Sequence, residues 1–196
     1  MYVLRPMNLR DLSSVMVVNA RCFSSPWPAH IFEVELSTNS YSHWVVVEIE
    51  SEQNGNGRFA GWLRRRPERR IVGFGGFWLI NGEAHISNIG VDPDYQRRGL
   101  GELLLLTMVK RAMELNADWT SLEVRTSNRA AISLYEKYQF RVAACKKRYY
   151  RDDGEDAYWM IIKPLMGSYW TTLEEHTQQL AHRLEWHDRF LIAEER

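Results

Sequence analysis

Three places in this chain hold residue types able to do chemistry. The first is Val91-Asp92-Pro93-Asp94-Tyr95-Gln96-Arg97-Arg98-Gly99-Leu100-Gly101, which runs directly into an apolar stretch. The pattern reads as a strand, a turn and a helix start. The first turn of a helix presents unpaired N–H groups and a partial positive charge. Gly99 and Gly101 lack a Cβ, so a phosphate can come close to the backbone, and Arg97 and Arg98 add countercharge. The segment suits a diphosphate. It lacks the Gly-Lys-Ser/Thr of a Walker loop and the Gly-x-Gly-x-x-Gly of a dinucleotide site. Read alone, it also suits a plain helix start with solvated arginines.

The second place is Glu123, set between Leu122 and Val124 in a short apolar segment. In a strand its face is shared with Ser121 and Arg125. A carboxylate there needs a partner or a task; a salt bridge to Arg125 is one answer and proton transfer another. The third is Tyr135, a phenol able to donate a proton at neutral pH, although a tyrosine beside Leu134 also suits simple packing. His85, on the strand before the loop, is a further candidate base, since an imidazole titrates near neutrality; it too reads equally as packed or hydrogen-bonded.

The elements around these residues follow from pattern. Val3 to Arg5 is a short strand, and Asn8 caps a helix reaching Cys22. A second helix covers Ala29 to Ser37. Strands are expected at Tyr41–Ile49, Ile71–Ile80, Glu83–Val91, Ser121–Arg125, Phe140–Tyr150 and Ala157–Ile162, with a hairpin turn at Asn81-Gly82. Helices are expected at Gly99–Ala117 and Asn128–Tyr138. Interleaved hairpins and strand–helix–strand units imply an α/β (α+β) layered domain over 1–165 with a mixed, largely antiparallel sheet. Residues 51–70 read as a loop insertion whose second half carries five arginines. Residues 166–196 read as a helical extension with Leu173, Leu180, Leu184 and Leu191 at helical spacing, packed on its own domain or forming a homodimer contact.

The totals exclude several classes. The chain has 196 residues, 25 Lys+Arg against 25 Asp+Glu, and two cysteines. Zero net charge gives no global field for nucleic acid or membrane. Two distant thiols make neither a disulfide framework nor a zinc site. No apolar leader or membrane-length run stands out, so a cytoplasmic protein without a metal is expected.

Gln96-Arg97-Arg98-Gly99-Leu100-Gly101 resembles the Q/R-x-x-G-x-G/A signature of the GNAT acetyltransferases. Asn88 to Gln96, Leu122 to Asn128, Ala131 to Glu136, Phe140, Arg148-Tyr149-Tyr150 and Phe23 to Trp27 extend the likeness to the RimI family of ribosomal-protein alanine acetyltransferases. The resemblance covers about residues 2–165. It implies the GNAT fold and acetyl-CoA as cosubstrate, with pyrophosphate on Gln96, Arg97, Arg98, Gly99, Leu100 and Gly101. The backbone of Ile89, Gly90 and Val91 would pair with the pantetheine arm, and Asn128 would hold the cofactor while also capping its helix. Glu123 becomes the general base and Tyr135 the general acid, in a direct transfer to a protein N-terminus beginning with Ala or Ser. His85 remains a rival base, because Ala84-His85-Ile86-Ser87 resembles a strand of archaeal and eukaryotic N-terminal acetyltransferases. Tyr149 and Tyr150 would line the acceptor slot. Asp152, Asp153, Glu155 and Asp156 would favour a cationic peptide or form a solvated turn. Gly90 stands where the family often has alanine, an exchange expected to be tolerated. A small-amine acetyltransferase and a non-catalytic CoA-binding module are the alternatives.

Overall fold

The computed structural model describes residues 1–50, 69–165 and 167–191. The expected insertion lies outside the described residues, except for Arg69 and Arg70, which open a strand. In chain order the elements are β1 (Tyr2–Pro6), α1 (Leu12–Cys22), α2 (Ala29–Ser37), β2 (Ser42–Glu50), β3 (Arg69–Ile80), β4 (Glu83–Val91), α3 (Leu100–Glu114), β5 (Trp119–Arg125), α4 (Arg129–Lys137), β6 (Arg141–Lys146), β7 (Ala157–Ile162), α5 (Gly167–Ala181) and β8 (Trp186–Asp188). Asn8 caps a short 3-10 turn before α1, and the Asp11 side chain answers to the Asn8 N–H.

The strands form one sheet in the order β6-β7-β5-β4-β3-β2-β1-β8. Among the described residues only β4–β5 and β1–β8 pair in parallel; the other contacts are antiparallel. The sheet is therefore mixed and largely antiparallel, as its sequence implies.

Each face has its own core. On one, α1 and α2 bury Val15, Val18 and Phe32 against Trp44, Val46 and Phe74. On the other, α3 lies across β3 and β4. Its Leu103, Leu104, Leu105 and Leu106 are each at most 2% exposed. A helix buried on all sides needs two covers. The sheet is one, and α5 is the other, through Tyr169, Leu173 and Leu180. Each fully buried leucine contributes about 1.5–3 kcal/mol.

The extension differs from its expected form after Ala181. The helix stops there, and Leu184 and Phe190 reach the core from a non-helical path. Trp186–Asp188 then adds a strand beside Tyr2–Leu4. Three residues without alternation give little strand signal, and the pairing joins opposite ends of the chain. The leucine stripe is thus covered within the chain. Among the described residues no helix is long and apolar enough to cross a membrane.

Candidate active site

The site begins as a defect in the sheet. β4 and β5 pair from Glu83–Trp119 to Ile86–Leu122 and no further. At that point β4 bulges: Phe77 opposes Ile86 and Gly76 opposes Asn88, leaving Ser87 as the extra residue. The Ser87 hydroxyl locks the bulge by donating to the Gly76 carbonyl at 3.1 Å. Beyond it β4 follows β3 while β5 follows β7, so the two strands part. A cleft of about 480 Å³ opens in the gap. Strand edges that face a gap leave N–H and C=O groups free to pair with an extended ligand.

Ile89, Gly90, Val91, Gln96 and Asn128 line this cleft. The Gln96 amide donates to the Val91 carbonyl at 3.0 Å and so fixes the loop to its strand. Asp92, 1% exposed, is held by Arg21 at 3.0 Å and Arg70 at 3.2 Å. Arg97 and Gly99 both take positive φ, at 61° and 89°. Gly99 is the N-cap of α3, with no side-chain hydrogen bond capping the helix. A Cβ on Gly101 would meet nothing nearer than Val91 Cγ2 at 4.0 Å, so space remains above the first turn. That space and the uncapped N–H groups fit a diphosphate. The Leu100 side chain is buried, which leaves only its backbone to contribute. Arg98 folds back onto the Asp94 carbonyl and the Tyr95 ring. Asn128 caps α4 by accepting from the Ala131 N–H at 3.2 Å.

Glycine at position 90 is accommodated by the packing around it. A Cβ there would lie 2.9 Å from Phe74 Cε1 and 3.2 Å from Phe23 Cε2. The two rings occupy the room a methyl group would need.

Glu123 and Tyr135 reach the same cleft from opposite faces of the sheet. Tyr135 belongs to the core under α3, and burial raises its pKa far above that of a free phenol. It is a protonated donor at any physiological pH. The Glu123 carboxylate is 8% exposed and sits on the other face, since Leu122 and Val124 point into that core. Burial pushes its pKa up, but hydrogen bonds from His85 and Lys146 outweigh this, and the net shift is downward. Lys146 Nζ lies 2.5 Å from Oε1 and His85 Nε2 lies 3.3 Å from Oε2, and the carboxylate, after burial, helps to raise the Tyr149 pKa.

The two candidate bases are therefore one hydrogen-bonded pair. Ser121 donates to Glu83 at 2.5 Å, so its oxygen accepts from His85 Nδ1 at 2.8 Å. Trp78 stacks on His85, with ring centroids 5.7 Å apart, and is itself anchored by Glu35 at 2.6 Å.

Arg125 does not pair with Glu123. It binds Asp152, Asp153 and Glu155 and stacks on Tyr150 at 3.9 Å. Ser24 joins Asp152 at 2.5 Å, tying the loop after α1 to the β6–β7 connection. Asp156 is taken by Lys147. Asp152, Asp153 and Glu155 thus form an internal clamp around Arg125, and four carboxylates against two cations, Arg125 and Lys147, leave these paired groups net negative. Tyr149 and Tyr150 do line the cleft.

Cys22 also borders the cleft, donating to the Val91 carbonyl at 3.1 Å. Burial, with Asp92 nearby, raises its thiol to about 11, so it is no thiolate nucleophile at neutral pH. Lys146 and the His85–Ser121–Glu83 chain were not picked out by sequence reasoning. Strand alternation joins Ser121 to Glu123, but nothing in sequence brings Lys146 across from β6.

A sheet parted between parallel strands, with a glycine loop and helix start at its mouth and a carboxylate and a phenol inside, is the arrangement of an acyl-CoA-dependent N-acetyltransferase. Residues 12–140 match the model of the Acetyltransferase (GNAT) family, and the chain belongs to that family. It is an N-acetyltransferase whose acyl donor is acetyl-CoA. A protein of Bacillus subtilis (strain 168), provisionally named a [ribosomal protein bS18]-alanine N-acetyltransferase, is 34% identical over 158 residues, which is 81% of this chain and 93% of that relative. An N-alpha-acetyltransferase of Sulfurisphaera tokodaii is 31% identical over 160 residues, covering 81% and 91%. The crystal structure of the ribosomal-protein-S18-alanine N-acetyltransferase from Escherichia coli superposes with a TM-score of 0.68 at 29% identity, covering 85% of this chain and 96% of that one. The likeness to the RimI family read from the motifs is borne out.

Proposed function

We propose that this enzyme acetylates the free α-amine of a protein N-terminus, alanine or serine, with a ribosomal protein as acceptor. A ribosomal acceptor would place it in the cytoplasm. The observation that carries the reading is the meeting of an ionised carboxylate and a protonated phenol on opposite faces of one strand gap. The relatives' names add the substrate class.

The chemistry then follows from the residues. The Gln96–Gly101 loop and the start of α3 hold the pyrophosphate of acetyl-CoA, the Ile89–Val91 edge aligns its pantetheine arm, and Asn128 lies at the same wall. The acceptor amine enters from the Glu123 face, between the Phe23–Trp27 segment and the β6–β7 connection. An α-amine titrates at about 7.7–8.0, so a good fraction is neutral near pH 7.5, whereas a lysine amine at about 10.4 is almost wholly protonated. Glu123 accepts the amine proton as the N–C bond forms, and His85 and Lys146 hold its carboxylate in place. Tyr135 gives its proton to the departing thiolate as the C–S bond breaks. Both substrates are held together and no enzyme thiol is acylated.

The test is release of CoA from acetyl-CoA with short peptides differing only in the first residue, alongside small amines. Turnover on Ala- or Ser-initiated peptides supports the reading. Turnover confined to small amines replaces the acceptor and keeps the donor.

A further inference from the structure

We infer that the acceptor polypeptide has a second binding site on this enzyme, a tryptophan-walled groove beside the active site that takes a large apolar side chain a few residues beyond the acetylated amine. The inference rests on the N-terminal reading above and extends it along the acceptor.

β5 and β7 turn one face to the core, through Leu122, Val124, Met160 and Ile162. The residues between these point the other way. There Trp119 lies beside Glu83 across the β4–β5 ladder, and Trp159 lies opposite Glu123 across β5–β7. On this side α1 and α2 pack over β2, β3 and β4, and both indoles remain half-buried. Trp78 and Ile80 continue the face on β3, where Ile80 is 47% exposed. An outward strand face is ordinarily polar. Here three indoles and an isoleucine wall a groove of about 560 Å³.

The groove opens into the active site, since Trp78, His85 and Glu123 line both. From Glu123 this face runs two ways along β5. Toward Arg125 it is bridged by the Ser24–Asp152 contact and the Arg125 ion pairs. Toward Trp119 it leads into the groove. A chain whose amine sits at Glu123 therefore leaves past Trp159 and Trp119. Trp119 lies four residues from Glu123 along β5, a span of about 13 Å, so roughly the third to fifth residues of an extended acceptor reach the indoles. Lys146 Nζ already lies 5.6 Å from the Trp159 ring and Lys163 Nζ 4.9 Å from the Trp119 ring, and Glu83 on the rim accepts from Ser121. A further cation gains little there, and an apolar side chain gains most. A small alkylamine ends before the groove, so the groove distinguishes a polypeptide from a small amine.

The experiment measures KM on the whole enzyme for Ala-initiated hexapeptides without lysine. The peptides are identical except at residues three to five, which are either all glycine or carry one leucine. Burying a large apolar side chain predicts a KM roughly tenfold lower for at least one leucine peptide than for the glycine peptide. Trp119→Ala and, at an exposed position where folding is not at risk, Ile80→Asp should each abolish that difference. The glycine-peptide KM and the acetyl-CoA KM stay unchanged, and the latter also reports that each variant is folded. A wild type indifferent to the leucine, a preference that survives both variants, or an equal rise for both peptides overturns the inference. So does a dimer that Ile80→Asp dissociates in sedimentation, which would give the groove to a second copy of the chain. A wild type that acetylates small amines and no peptide overturns the N-terminal reading and this inference with it. One that acetylates the glycine peptide at its α-amine without preferring leucine overturns this inference alone.

Discussion

The two walls of the cleft are made of different material. The donor wall is backbone: a parted strand, two positive-φ residues and an uncapped helix start. The acceptor wall is side chains, with Glu123 from β5, His85 from β4, Lys146 from β6 and Tyr149 from the loop after it, gathered on one face of the sheet. Backbone shape depends on a few glycines in one short stretch. Side-chain chemistry depends on elements brought together from far apart. The donor wall should therefore fail through binding when its shape is altered, and the acceptor wall through turnover when a functional group is removed.

The largest effect should come from the acid–base pair. Glu123→Gln and Tyr135→Phe should each lower kcat by about 100-fold or more, the range of a positioned acid or base, while acetyl-CoA affinity measured by calorimetry stays within about twofold. A loss of affinity instead would erase the distinction between the walls.

Gly99→Ala should do the opposite. At φ 89° a side chain is strained, and the new Cβ would approach Leu180 Cδ1 to 3.2 Å. Left-handed strain of about 1–2 kcal/mol predicts a rise of roughly tenfold in acetyl-CoA KM with kcat at saturation little changed. Initial-rate kinetics would show it.

A smaller effect separates the partners of Glu123. Lys146 is one of two hydrogen-bonding groups that hold its pKa below the ordinary value. Lys146→Met should let burial raise that pKa, moving the acidic limb of the kcat/KM profile to higher pH, with kcat/KM at pH 8 changed by less than about tenfold. An unmoved limb would mean that Glu123 does not set it.

The smallest change in catalysis should come from the Arg125 clamp. Arg125, with Ser24, holds Asp152 at about 2, and the Ser127 N–H with Arg125 holds Glu155 at about 2. Both are depressed, so their contribution is present above the ordinary carboxylate range and is lost as pH falls through about 2. Arg125→Gln should expose the 150–156 connection to limited proteolysis at neutral pH, where the wild type resists.

This contrast also explains what could be read in the sequence. The donor wall was legible because its determinants are contiguous: Val91 to Gly101 states strand, turn and helix start in eleven letters. Glu83–Val91 matched its expected strand to the residue, since Asn81-Gly82 fixes the turn before it. Glu123 and Tyr135 received their roles through the family likeness; alternation alone left Glu123 between a salt bridge to Arg125 and proton transfer. Their surroundings were hidden because Lys146 meets Glu123 only when β7 inserts between β5 and β6. The extension was half legible. Leucine spacing gave α5, but the fold of Leu184 to Leu191 depends on the edge of β1, a partner nearly the whole chain away.

Transfer to an α-amine, rather than to a side chain, shows in where the acetyl group ends up on a peptide. A peptide beginning with alanine and carrying an internal lysine is incubated with the enzyme and acetyl-CoA, and the product is mapped by fragmentation mass spectrometry. The account predicts one acetyl group, on the alanine nitrogen, and no product from the same peptide blocked at that nitrogen. Acetylation of the lysine, or of the blocked peptide, would contradict it.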